Sequence, residues 1–173
     1  MDLSRFSPID LLRLNADAVV ELRGRGVVRT LNAPLGDYAE WLFCQAFHWE
    51  VADNSTKDVD ARDDEGTRYQ IKGRRLVQPN TSRQLGAIRR LDERNFDVLA
   101  AVLFDADFSV MRAALIPHSL VLASAKRVEN TNSWRFMLRN GVWECEGVRD
   151  VTNALVTAQS LDWPRSSVAT DAT

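Results

Sequence analysis

Metal-binding groupings of cysteine and histidine are missing from this sequence. Its 173 residues hold two cysteines, Cys44 and Cys145, and two histidines, His48 and His118, at none of the spacings a zinc site uses. The cysteines lie far apart in apolar-rich segments, so buried free thiols are expected rather than a disulfide. No apolar run approaches the roughly 18 residues that a membrane helix needs. The first residues, MDLSRFSPID, carry two Asp and lack the basic region and apolar stretch of a signal peptide, so a soluble, cytoplasmic chain with no membrane partner is expected. No internal repeat is visible, and no linker interrupts residues 7–162. A charged fraction of 27% with a formal net charge of −2 excludes both wholesale disorder and a generally basic nucleic-acid coat. The length and the 45% hydrophobic content suit one domain, residues 1–162, followed by a Ser/Thr/Ala/Asp-rich tail, 163–173, expected to be disordered.

What is present is an uneven distribution of charge. Residues 50–66 hold seven acids against two bases, net −5, and residues 67–94 hold eight bases against two acids, net +6. The bland reading is a pair of solvated faces that offset each other. The functional one is a cation site beside an anion-binding rim, which metal-assisted phosphodiester chemistry requires.

Local patterns place these blocks on elements. Ser7-Pro8-Ile9-Asp10 is a helix start, and Gly24 and Gly26 should end that helix. A second helix is expected from about Leu35 to Phe47, with Glu40 on or beside its apolar stripe. A carboxylate there is partly buried, and burying a charge without a partner is costly. Trp49–Ala52 reads as a short strand, and Asp53–Thr56 as a turn. Val59–Arg62 and Thr67–Lys72 read as strands joined through Asp63–Gly66. In the second of these, Thr67, Tyr69 and Ile71 share one face, and Arg68, Gln70 and Lys72 the other. Gly73–Arg83 reads as a loop and Gln84–Arg90 as a short helix. Phe96–Phe104 suits a buried central strand, with Phe108–Ile116 pairing back antiparallel. Pro117 opens a helix reaching about Ala125. Trp134–Leu138 and Val142–Cys145 flank Asn140-Gly141, a hairpin signal, and Val148–Gln159 closes the domain as a helix.

Hydrolysing a phosphodiester needs a divalent cation on the phosphate oxygens, an activated water and a stabilised leaving oxygen. Asp60 offers a carboxylate and Gln70 a neutral amide oxygen from adjacent strands, a donor set that suits Mg²⁺, with Mn²⁺ as the alternative. Lys72 shares the Gln70 face and reaches the attacking water or the phosphate. Glu40 approaches from the helix, to bind a second metal or to orient a metal-bound water. Asp58 lies on the same strand face as Asp60 and rivals it. Asp60 is preferred because it sits closer to the hairpin and better opposite Gln70. Arg74, Arg75, Arg83, Arg89 and Arg90 are candidate phosphate contacts, or else an ordinary surface rim. His48 and His118 read as packed or capping residues. The five Trp residues read as core and interface fillers.

These residues carry a resemblance. Glu40 on a helix, Asp60 on a strand and Gln70-Ile71-Lys72 on the next strand resemble the PD-(D/E)xK motif of restriction-endonuclease-like nucleases. STKDVD (55–60) and GTRYQIKGRR (66–75) are the densest part of the likeness. RTLNAPLGDYAE (29–40) is similar to the helix approach of some poorly characterised members. The resemblance covers roughly residues 29–75. It implies an α/β single domain, a mixed β-sheet flanked by helices in α-β-α layers. It also implies Mg²⁺ dependence and cleavage of DNA more often than RNA, of restriction or defence type. A double-strand cut usually needs two active sites, which makes a homodimer a possible assembly, although no interface is legible in the sequence. Gln70 departs from the pattern, standing where Asp or Glu is usual and removing one negative charge. The alternative function is therefore a weak or inactive nuclease-fold module that binds nucleic acid.

Overall fold

The computed structural model describes residues 2–52 and 58–160. The turn expected at Asp53–Thr56 and the tail expected from residue 163 lie outside them. In chain order the main elements are α1 (Pro8–Gly24), α2 (Leu35–Phe47), β1 (Glu50–Val51), β2 (Ala61–Arg62), β3 (Arg68–Arg75), β4 (Ile88–Arg89), β5 (Val98–Phe104), β6 (Val110–Pro117), α3 (His118–Ser124), β7 (Lys126–Val128), β8 (Ser133–Arg135), β9 (Arg149–Asp150) and α4 (Thr152–Ser160). Among them, no helix is long and apolar enough to cross a membrane.

The helices begin and end where the residues dictate. Ser7 Oγ accepts the Asp10 N–H at 3.3 Å, and Pro8 stands in the first turn, where its missing N–H costs nothing. Gly26 takes φ +72°, so the chain turns away after α1. The α2 helix ends at His48, which adopts the left-handed conformation at φ 57° and so takes the capping role open to it.

Six strands form a mixed sheet in the order β1-β2-β3-β5-β6-β9. β3 and β5 run parallel from Tyr69↔Val98 to Arg75↔Phe104, and every other neighbouring pair in this sheet is antiparallel. Ala100–Phe104 are all buried, as an apolar central strand must be. Alternation divides the core in two. Tyr69, Ile71, Ala100, Val102 and Phe104 pack with Leu42, Phe43 and Ala39 of α2 and Leu155 of α4. Leu99, Ala101, Leu103, Ala114 and Ile116 pack on the other side with Leu85, Ile88, Val121, Phe136 and Leu138. Burying a Phe or Leu contributes about 1.5–3 kcal/mol, so these two clusters supply most of the fold's stability.

The expected sheet flanked by helices is present, but its layers are unequal. α2 and α4 cover one face. The other is shared between α3 and a second, three-stranded sheet in the order β4-β8-β7. That sheet overturns two local expectations. Gln84–Arg90 is not a helix, because Ile88 and Arg89 pair with Trp134 and Ser133. Asn140-Gly141 is not a hairpin, because Asn140–Glu144 forms a 3-10 turn. The strand before it pairs elsewhere, with Leu138 N–H donating to Arg83 O at 3.0 Å and Leu85 N–H to Phe136 O at 3.1 Å. Gly73–Arg75, expected as loop, continues β3. The last helix starts four residues later than Val148, since Arg149 and Asp150 pair with Leu115 and Ala114.

The residues expected to be structural behave so, except that Cys145 is not fully buried. Both cysteines are free, Cys44 buried and Cys145 half-buried. His118 is buried, its Nε2 2.7 Å from Leu91 O. Trp49 stacks on Tyr69 at 3.7 Å between ring centroids, inside the α2-side core.

Candidate active site

The site is built on the edge of β3. β2 pairs with β3 only through Ala61↔Tyr69 and Arg62↔Arg68. Just before it, the Asp60 N–H still donates to Tyr69 O at 2.8 Å. Beyond this the ladder stops, and among the described residues no strand lies opposite the Ile71 N–H. The Asp60 carboxylate fills that place, its Oδ2 accepting the Ile71 N–H at 2.6 Å. A side chain has replaced a backbone acceptor, which fixes the carboxylate at an opening in the sheet.

Lys72 reaches the same opening. Its Nζ lies 3.9 Å from Asp60 Oδ2, and the two side chains are 24% and 21% exposed. The Lys72 stem runs beneath Gly86, where an added Cβ would sit 3.8 Å from Lys72 Cδ. Lys72 and Gln70 are in register with Ala101 and Leu99, so both lie on the face away from α2, as alternation predicts. Gln70 is 4% exposed. Its Oε1 is buried and has no hydrogen-bond partner among the described residues. Leaving such an oxygen unmet costs about 1–3 kcal/mol.

Glu40 comes from the opposite side. Ala39 packs against Gly73, where a Cβ would lie 3.1 Å from Ala39 Cβ and 3.3 Å from Phe104 Cε2. Glycine thus admits α2 close to β3 and brings the next residue, Glu40, beside Asp60. The Glu40 side chain is 16% exposed and ion-paired with Arg29. Burial pushes its carboxyl up, the Asp60 charge adds to that, and Arg29 and Lys72 pull against them, leaving it at about 7. Asp37, one turn earlier, accepts the N–H groups of Arg29 and Thr30 at 2.8 and 2.7 Å. It thereby holds Arg29 over Glu40. Arg29 and Asp37 are not among the site residues that the sequence singles out; the signal for them is Asp37 three residues before Glu40, on one helix face. Arg29, Asp37 and Glu40 also line a cleft of ≈ 790 Å³ on the α2 side, with Arg25, Trp41 and His48.

The rival carboxylate has a different place. Asp58 adopts φ +67°, is ion-paired with Arg90 and accepts from Asn95 Nδ2 at 3.2 Å. It therefore braces the loop before Asp60, and Asp60 faces the β3 edge.

The five candidate phosphate contacts separate likewise. Arg74 Nε donates to Ser82 O at 2.9 Å. Arg75 donates to Ala106 O and lies over the Phe108 ring at 4.3 Å. Arg83 donates to Asn140 Oδ1, and Arg90 pairs with Asp58. Arg89, exposed on β4, alone among the five has no side-chain partner among the described residues.

As a cation site this cluster is sparse in charge. Among the described residues, no three His, Cys, Asp or Glu side chains group to hold a metal ion. The oxygen donors at hand are the Asp60 and Glu40 carboxylates and the unpaired Gln70 Oε1. Two carboxylates and an amide oxygen fit a hard divalent cation that keeps several waters. No family model matches the chain, and no curated protein matches its sequence.

Proposed function

We propose that the protein is a Mg²⁺-dependent nuclease that hydrolyses phosphodiester bonds in DNA, Mn²⁺ serving as a substitute. The observation that carries the reading is the meeting of Asp60, Lys72 and Glu40 at the open edge of β3, with Gln70 on the Lys72 face bearing a buried oxygen that has no partner among the described residues. Asp60, Gln70 and Glu40 would hold the cation, which when bound neutralises phosphate oxygens and lowers the pKa of a coordinated water. Lys72 supplies a fixed positive charge beside Asp60 for the developing charge on phosphate. Glu40, held at about 7 before a cation binds, would give up its proton as the cation does bind.

The test is cleavage of plasmid and linear DNA by purified protein with Mg²⁺ or Mn²⁺. Asp60→Ala and Lys72→Ala should each lower the rate at least about 100-fold while circular dichroism stays native. Undiminished cleavage by both variants would remove the site assignment.

A second reading is supported by Gln70 in a position where a carboxylate would add charge, and by the two ion pairs that already neutralise Asp60 and Glu40. In that reading the chain binds nucleic acid without cutting it. Binding would then be salt-dependent and indifferent to divalent cations.

A further inference from the structure

The basic surface lies where the sequence blocks do not point. Residues 126–139 contain Lys126, Arg127, Arg135 and Arg139 against one acid, Glu129. Three of those bases fall on the second sheet. There Ile88 is paired with Trp134, and both pack into the core beneath. The alternate positions face outward: Arg89 on β4, Arg135 on β8 and Lys126 on β7, all exposed. Lys126 and Arg135 are direct register partners. Like charges directly opposite in an antiparallel pair are destabilising, and here no carboxylate relieves them. Among the described residues, Arg89, Lys126 and Arg135 make no ion pair, side-chain hydrogen bond or cation–π contact.

The β4 end of this sheet adjoins the site. Gly86, two residues before β4, lies by the Lys72 stem, where an added Cβ would come within 3.8 Å of Lys72 Cδ, and Arg90, immediately after β4, is paired with Asp58 two residues from Asp60. The outward positions include no aromatic ring, since Trp134 faces the core. Stacking on single-stranded bases is therefore not offered, whereas phosphates are.

We propose that the outward face of the β4-β8-β7 sheet seats the phosphate backbone of double-stranded DNA, with Arg89, Lys126 and Arg135 as its contacts, and leads the duplex to the Asp60–Lys72 edge. The choice of substrate rests on the nuclease reading; the face itself does not. A polyanion there relieves the Lys126–Arg135 repulsion and releases counterions, so affinity falls steeply with salt. Specificity for base sequence is not supplied by such contacts.

Fluorescence anisotropy with a short labelled duplex in EDTA, across about 50–200 mM salt, tests this without cleavage. The combined variant Arg89→Ala, Lys126→Ala, Arg135→Ala should bind at least about 10-fold more weakly, and its salt slope should fall by about 2–3, near 0.9 for each lost contact. Arg23→Ala, an exposed cation on α1, should change neither value. An unchanged affinity and slope in the combined variant overturns the proposal, as does failure of the native protein to bind the duplex. Tighter binding of duplex RNA than of duplex DNA overturns the assignment of DNA. Loss of binding in the combined variant, beside a native protein that never cleaves, would sustain this face and remove the nuclease reading. Undiminished binding in it, with cleavage dependent on Asp60, would do the reverse.

Discussion

Glu40 is the residue whose chemistry depends most on its surroundings. Its carboxyl stands at 4.5 in water and at about 7 in the fold, chiefly because α2 buries it and Asp60 lies near. A raised carboxylate stabilises the fold in its protonated form. That contribution is complete below about 4.5 and is lost as pH rises through about 7. Glu40→Gln keeps it at every pH. The variant should match the native protein near pH 5 and exceed it at pH 8 by roughly 2 kcal/mol in urea titrations. Mg²⁺ should then stabilise the native protein more than the variant, which keeps Asp60 and Gln70 but has lost one charge. An equal difference at both pH values would mean that Arg29 keeps Glu40 ionised throughout. The buried thiol of Cys44 is pushed up to about 11, first by burial and then by the Glu40 charge, so it is a poor nucleophile and a packing residue.

At the scale of elements, the docking of α2 on β3 decides whether a site exists at all. The close approach runs through Gly73, with Ala39 and Phe104 around it. Gly73→Val must push those neighbours apart, at a cost of about 1–3 kcal/mol. It should lower the melting temperature by several degrees and cut DNA cleavage more than the stability loss explains, because Glu40 moves with Ala39. A variant with native activity would show that the helix position is immaterial to the chemistry. The other end of β3 is clamped by Arg68. Its Nε and Nη2 donate to the Asp97 carboxylate at 2.9 Å each, and those bonds hold the carboxyl down to about 2.

Elements with local signals were legible: the Ser7–Pro8 start of α1, the stripe of α2, the Asp63–Gly66 turn and the apolar β5. Elements defined by distant partners were not. Leu85 and Ile88 are three apart and fully buried, which imitates a helix, yet both serve extended segments that pair with residues 133–138. Asn140-Gly141 resembles a two-residue hairpin turn, but neither residue takes the positive φ that such a turn needs. Arg74 and Arg75 made the end of β3 look like loop, although their guanidiniums reach out to the carbonyls of Ser82 and Ala106. The candidate site was legible in its residue types and in the shared face of Gln70 and Lys72. What sequence could not supply was the interrupted ladder that draws Asp60 to Ile71, or the cations of β7 and β8.

The molecule as a whole is a mixed sheet with helices on one face and a small basic sheet sharing the other. The candidate site opens where β2 leaves β3, so groups from both faces meet there: Glu40 from the α2 side, Lys72 and Gln70 from the β4 side. That arrangement makes the identity of the ligands the central claim. A crystal grown with Mn²⁺ and examined by anomalous diffraction tests it most directly. The account predicts a peak bound by Asp60 and by Gln70 Oε1, at about 2.0–2.2 Å as for small divalent cations, with Glu40 at the ion or on its water. An empty β3 edge, with Lys72 still against Asp60 and the Gln70 oxygen unmet, would contradict it.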